Sequence, residues 1–263
     1  MLGRKIDMQV LKQLIRFSAP LVIVGIAGSI NEVADNIMVK FLYTGADDPM
    51  SVVGIYGAGF KLAIIMTLFV QMFKYAFEPF LFAQKGKDSN KVYVQIMDVF
   101  VGIGMLIFLF FAFYLDLIAP NFFGKLRPQY LEAVHVVPII LMANLFLGIY
   151  YSLSVWYKVT DLTKYAAVIA LIGSAITIVM NYILIPKYSY VGSSWAHLAC
   201  YTSMMIISYF WGQKVKPIPY NIKRILIFIV SGLLLIPSTR DFGFWLLREN
   251  HPIEMLTFIV FLI

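Results

Sequence analysis

Charge is what this sequence has least of. Only 13% of its 263 residues are Asp, Glu, Lys or Arg, where a soluble domain carries about 25%. Leu, Ile, Val, Phe, Met and Tyr take their place, so the hydrophobic share is 61% and mean hydropathy +0.83. Such a chain has too little polar surface for a water-soluble globule and is expected to be an integral membrane protein. Cysteine is nearly absent: Cys200 stands alone in an apolar run, which excludes a disulfide within the chain and a zinc-type ligand set. His135, His197 and His251 are far apart in sequence, so no metal site is expected. No P-loop, G-x-S-x-G or H-E-x-x-H is present, and no cofactor is implied. The longest outer connections, Pro120 to Glu132 and Thr239 to His251, are too short for a catalytic or nucleotide-binding domain, so an enzyme is not expected. The first apolar run is too long for a cleavable signal peptide and has no small-residue cleavage site after it.

What is there is a series of apolar runs of about 20 residues, the length of membrane-spanning helices and not of barrel strands. After a basic amphipathic lead-in, Met1 to Arg16, the expected helices are 17–42, 53–82, 93–119, 133–157, 165–185, 193–211 and 222–238. An eighth run starts at Pro252 and has 12 residues. That is ~18 Å of helix against a ~30 Å hydrocarbon core, so the chain is expected to be a fragment of a longer one. Pro20, Pro79 and Pro138 are candidate kinks, and Gly54, Gly57, Ala58 and Gly59 a close-packing surface.

Net charge is +7, and in a membrane protein it points to loop asymmetry, not to nucleic acid. Alternating the helices puts thirteen Lys and Arg at one end of the bundle, among them Arg4, Lys85, Lys158, Lys214 and Arg224. Six, Lys40, Lys125, Arg127, Lys187, Arg240 and Arg248, fall at the other. The richer end, here called the basic end, holds the N-terminus and is expected to be cytoplasmic. Trp156, Tyr157, Tyr188, Tyr190, Trp195 and Trp211 fit an aromatic belt at the helix ends.

The stretch Phe17 to Leu42 carries Asn31, Glu32, Asp35 and Asn36 on roughly 140° of one helix at ~100° per residue. A carboxylate at mid-membrane costs at least ~2.5–3.5 kcal/mol, so these groups are expected to face a bundle interior or a wet cavity. Lys61 on the next helix lies at similar depth, which makes an ion pair with Glu32 or Asp35 available. It would be either a structural clamp or the wall of a substrate or ion pathway. Thr67, Gln71, Lys74 and Glu78 share roughly 60° of the second helix. Lys74 and Glu78, four apart, are expected to pair locally or to snorkel to the interface. Asn144 and Asn181 are expected to make interhelical hydrogen bonds, and His197 to be packed or hydrogen-bonded.

Three segments in order carry a family resemblance: APLVIVGIAGSINEVAD; the G-x-Y-x-x-x-x-K-x-A pattern at Gly54, Tyr56, Lys61 and Ala63; and the N-x-x-L-I-P…G-x-x-x-A pattern at Asn181, Leu184, Ile185, Pro186, Gly192 and Ala196. Together they resemble the C-terminal half of Wzx-type polysaccharide and O-antigen flippases, which share a superfamily (MOP) with MATE exporters and MurJ. The resemblance implies an all-α membrane fold of two six-helix bundles around a cavity. This chain would hold a lead-in at 1–16, the second bundle at 17–212, and a basic linker with an incomplete helix pair at 213–263. It further implies an undecaprenyl-diphosphate-linked oligosaccharide as substrate, moved by alternating access for polysaccharide or lipopolysaccharide biosynthesis. The setting would be the bacterial cytoplasmic membrane, with the first bundle supplied by the same chain or by a partner. Asn31, Glu32, Asp35, Lys61, Gln71 and Lys74 are then the expected substrate and ion pathway, Lys61 attracting diphosphate and Glu32 or Asp35 taking a cation or proton. The pattern departs in two places: Asn36 follows Asp35 where Arg is frequent, and Ser189 stands where Gly is common in the PKYSYVG turn. A cation-coupled small-molecule exporter of the same fold is the alternative, and a membrane polysaccharide polymerase a more distant one.

Overall fold

The computed structural model describes residues 8–83, 89–123 and 128–248, and within them every side chain except those at 13, 30–32, 80–83, 89, 128 and 236–248. Among the described residues there is no strand. The helices are α1 (Met8–Leu42), α2 (Pro49–Ala83), α3 (Ser89–Phe123), α4 (Val137–Leu153), α5 (Val155–Val159), α6 (Lys164–Val215) and α7 (Ile222–Arg248), with a 3-10 segment over Pro128–His135. Five of them, with α4 and α5 counted as one, are long and apolar enough to cross a membrane. Large apolar side chains such as Ile26, Leu106, Val179, Ile183 and Phe210 face outward, an arrangement that suits lipid and not water. The chain is a multi-pass membrane protein.

One expected loop is tighter than its sequence suggests. α6 runs 52 residues as one assigned helix, but Ser189 inside it has φ 55° and ψ −142°. The chain reverses there, so α6 is a hairpin with arms 164–188 and 190–215. Gly173 on the first arm lies against Cys200 and Met204 on the second. Gly192 is pressed on its own hairpin partner, since a Cβ there would lie 2.6 Å from the Leu184 carbonyl oxygen. Thr44, in the α1–α2 turn, donates to the Pro186 carbonyl at 3.3 Å and ties the two far-end turns together. Ser189 sits in backbone space that is nearly glycine's alone, at a cost of ~1–3 kcal/mol. Ser189→Gly is therefore expected to raise the melting temperature of the detergent-solubilised protein; an unchanged or lowered value would contradict the strain.

Other elements depart from expectation for local reasons. α1 begins at Met8, taking in part of the lead-in, because nothing before Phe17 breaks a helix. The fourth helix is split: a 3-10 segment ends at His135, and Ser154 turns the chain between α4 and α5. Pro138 is not a kink. It lies in the first turn of α4, where a missing N–H costs nothing. α7 continues past Ser238 to Arg248, with Pro237 and Gly243 inside it. The eighth run lies outside the described residues.

α4 is the centre of the bundle. Of the most apolar window in Val137–Val159, 78% is buried, against 6% for that of α1. α2, α3 and α4 pack through Met66, Met97, Phe100, Ile140, Leu141 and Leu145, with Phe69 stacked on Phe100 at 5.1 Å. Gly59 admits Val136, whose methyl would stand 2.7 Å from a Cβ, whereas nothing approaches Gly57. α4 and α5 meet the hairpin through Tyr150, Trp156, Ile169, Cys200 and Met204. Trp156 and Tyr157, expected in the interfacial belt, are instead buried in this seam. Tyr188 and Trp195 are exposed as a belt requires.

Candidate functional site

The far end of the bundle brings four helices to one carboxylate. Asp35 lies seven residues before the end of α1 and Tyr56 seven after the start of α2. Asn181 and His197 lie eight residues either side of the Ser189 reversal. Each is thus ~10–12 Å below the same surface at 1.5 Å per residue. The Asp35 side chain is 1% exposed. Its Oδ1 accepts from Asn181 Nδ2 at 2.7 Å, and its Oδ2 accepts from Tyr56 Oη at 3.1 Å and faces His197 Nδ1 at 3.0 Å. With Asp35 as a carboxylate, which only accepts, His197 would be the donor through Nδ1. Ser193 Oγ donates in turn to Tyr56 Oη at 3.4 Å. Phe60 and Tyr201 close over the imidazole edge-to-face, at 5.4 and 4.5 Å.

Three donors replace the water that Asp35 has lost, which is the condition for keeping a carboxylate inside a bundle. Asn181 Oδ1 is left over, buried and unpartnered. An acid, an imidazole and a spare carbonyl oxygen at one point can exchange a proton or present oxygen ligands to a small cation. Among the described residues no three His, Cys, Asp or Glu side chains gather, so this is a pair and not a metal cage.

The expected pairing of Asp35 with Lys61 is not what the structure holds. Tyr56 is the side of α2 that meets Asp35, and Lys61 is five residues on, ~140° around the helix. Lys61 is exposed instead. Asn36 is exposed beside the buried Asp35. The side chains of Asn31 and Glu32 lie outside the described residues. Gln71 and Lys74 are half-buried on α2 toward the basic end, and Lys74 Nζ stands 4.8 Å from the centre of the Tyr151 ring. Glu78 does not pair with Lys74: it takes Lys158 on α5 at 2.6 Å. Asn181 is an interhelical hydrogen-bonding residue as expected, whereas Asn144 Nδ2 is buried without a partner. Sequence reasoning missed Tyr56, Ser193 and Lys158 as members of these groups.

No family model matches the sequence, and no curated protein does. Two solved structures share its fold. One is an outward-facing multidrug resistance MATE family transporter of the MOP superfamily, with 16% identity and a TM-score of 0.59 over 87% of this chain. The other is a MOP superfamily transporter from Pyrococcus furiosus whose binding pocket is described as reversed in polarity, with 17% identity and a TM-score of 0.57 over 89% of this chain. The chain spans about half of each, 52% and 54%.

Proposed function

From a MOP-transporter fold of which this chain spans half, we propose that it is the second six-helix bundle of a flippase for undecaprenyl-diphosphate-linked oligosaccharide. It works by alternating access in a bacterial cytoplasmic membrane, with its N-terminal end cytoplasmic. The observation that carries the reading is the buried Asp35 hub. A carboxylate held by donors from three other helix segments is an expensive way to build a spacer, and a direct way to couple helix positions to a proton or cation. The sequence patterns around Lys61, Asn181 and Gly192 support the saccharide class. A second bundle, from the same chain or a partner, is required, because rocking needs two bodies. Asn31, Glu32, Lys61, Gln71 and Lys74 belong to the proposed pathway for the head group, with the lipid tail left in the bilayer.

The multidrug MATE neighbour favours a second reading, a cation-coupled exporter of small amphipathic molecules. One experiment separates the two. The whole transporter is expressed in cells lacking their own flippase, and surface polysaccharide and tolerance to cationic dyes are both measured. Restored polysaccharide, lost again with Lys61→Ala or Glu32→Gln, is the expected result. Export that survives both substitutions would remove those residues from the pathway, and dye tolerance without polysaccharide would select the exporter.

A further inference from the structure

A second polar group lies at the basic end, built from α2, α4 and α5. Eighteen residues of α2 separate Lys74 from Tyr56, ~27 Å at 1.5 Å each, so the two groups sit at opposite ends of the bundle. Lys158 Nζ donates to Glu78 Oε1 at 2.6 Å, with the lysine side chain 11% exposed and the glutamate 34%. Lys74, one turn away on the same stripe of α2, rests on the Tyr151 ring, and its charge bears on Lys158. Two ammonium groups therefore stand near one carboxylate that pairs with Lys158 alone, and the cluster has one positive charge more than it has partners for. A ring face is a weaker partner for an ammonium than an anionic oxygen. Glu78 is the more exposed member of its pair, so it can turn toward water without crossing the core.

The geometry points to a phosphate site at this end of the bundle, with Lys74 and Lys158 as its ligands and Glu78 as a tethered occupant. A phosphate or diphosphate has oxygens enough for both ammonium groups, whereas Glu78 serves one. On binding, Lys158 exchanges the Glu78 carboxylate for a phosphate oxygen, and Lys74 exchanges the ring of Tyr151 for another. The anion is either the head group of a membrane lipid or a free phosphate. The site rests on the proposed head-group pathway in that Lys74 belongs to both, and its failure would leave the Asp35 reading untouched.

The test uses the full chain purified in detergent, with farnesyl diphosphate as the lipid-borne probe and inorganic pyrophosphate as the free one. Wild type is expected to bind. K74Q and K158Q each weaken binding roughly tenfold, the usual scale of one charge-assisted hydrogen bond. E78Q tightens it by a similar factor, because the competing charge is gone. Pyrophosphate that displaces farnesyl diphosphate assigns the site to free anions; binding that pyrophosphate does not displace assigns it to lipid head groups. If K158Q fails to fold, the opposite signs of E78Q and K74Q still decide. Binding that is the same in wild type and all variants overturns the site. So does E78Q weakening it in step with K158Q, as a purely structural clamp would.

Discussion

Asp35→Ala is expected to be the most damaging single change at the far end of the bundle. It removes one carboxylate and strands three buried donors on three helix segments: the Tyr56 hydroxyl, the Asn181 amide and the His197 ring N–H. Breaking a buried pair by deleting one partner typically costs ~3–5 kcal/mol, because the other is left without compensation. Asp35→Asn is milder but is not silent, since its amide presents a donor where donors already converge. The sharper measurement is the double-mutant cycle with His197→Ala. Once Asp35 is gone, His197 has lost its partner, so its removal costs much less than in the wild type. Coupling of ~0.5–3 kcal/mol is the range for residues in contact. Thermal melts of the four proteins in detergent measure it, and strictly additive losses would mean that the pair does not act as a unit. Under the proposed function, transport by the whole protein is expected to fail in the same variants that lose the coupling.

Trp156→Ala is the second large effect, and it acts at the other end. The indole is 2% exposed. Its N–H donates to Ser208 Oγ at 3.3 Å, its ring meets Tyr157 at 5.2 Å and Tyr165 at 5.3 Å, and Gly212 leaves room for its edge. One side chain thus joins α5 to both arms of the hairpin. Truncating a buried Trp costs ~3–5 kcal/mol through lost contacts and the cavity left behind. The half-buried Trp211, which touches Tyr165 at 5.4 Å from the other side, should cost less on the same substitution. A Trp156→Ala protein that melts with the wild type would show that the seam is not what holds the hairpin.

These two residues mark what was legible in the sequence. Helix number and order followed from runs of apolar residues, because burial in a bilayer leaves no alternative. Asp35 stood out for the same reason, as a charge in an apolar stretch. Its partners did not, because hydrogen bonds between helices depend on rotation as well as depth. Lys61 is level with Asp35 only for a helix starting at 53; α2 starts at Pro49, which puts Lys61 ~7.5 Å deeper than Tyr56 and on another face. The depth of Asn181 and His197 was readable in principle: both lie eight residues from Ser189, and a reversal there places them level. Trp156 and Tyr157 were misplaced for a simpler cause. An aromatic near a helix end reads as interfacial, yet here the end of the span packs against the hairpin of α6. The swap of Glu78 from Lys74 to Lys158 has the same origin, since local spacing says nothing about a cation arriving from another helix.

The one-residue reversal at Ser189 also constrains how the chain enters the membrane. Two apolar arms joined without a hydrophilic loop offer a translocation machine nothing to pass across ahead of the second arm. They are expected to partition into lipid together, as one hairpin, with Lys187 as the sole charge carried to the far face. Their relative orientation is then settled at insertion, before Asp35 finds Asn181 and His197. Lengthening the turn with a polar segment should therefore disturb biogenesis before it disturbs the folded state.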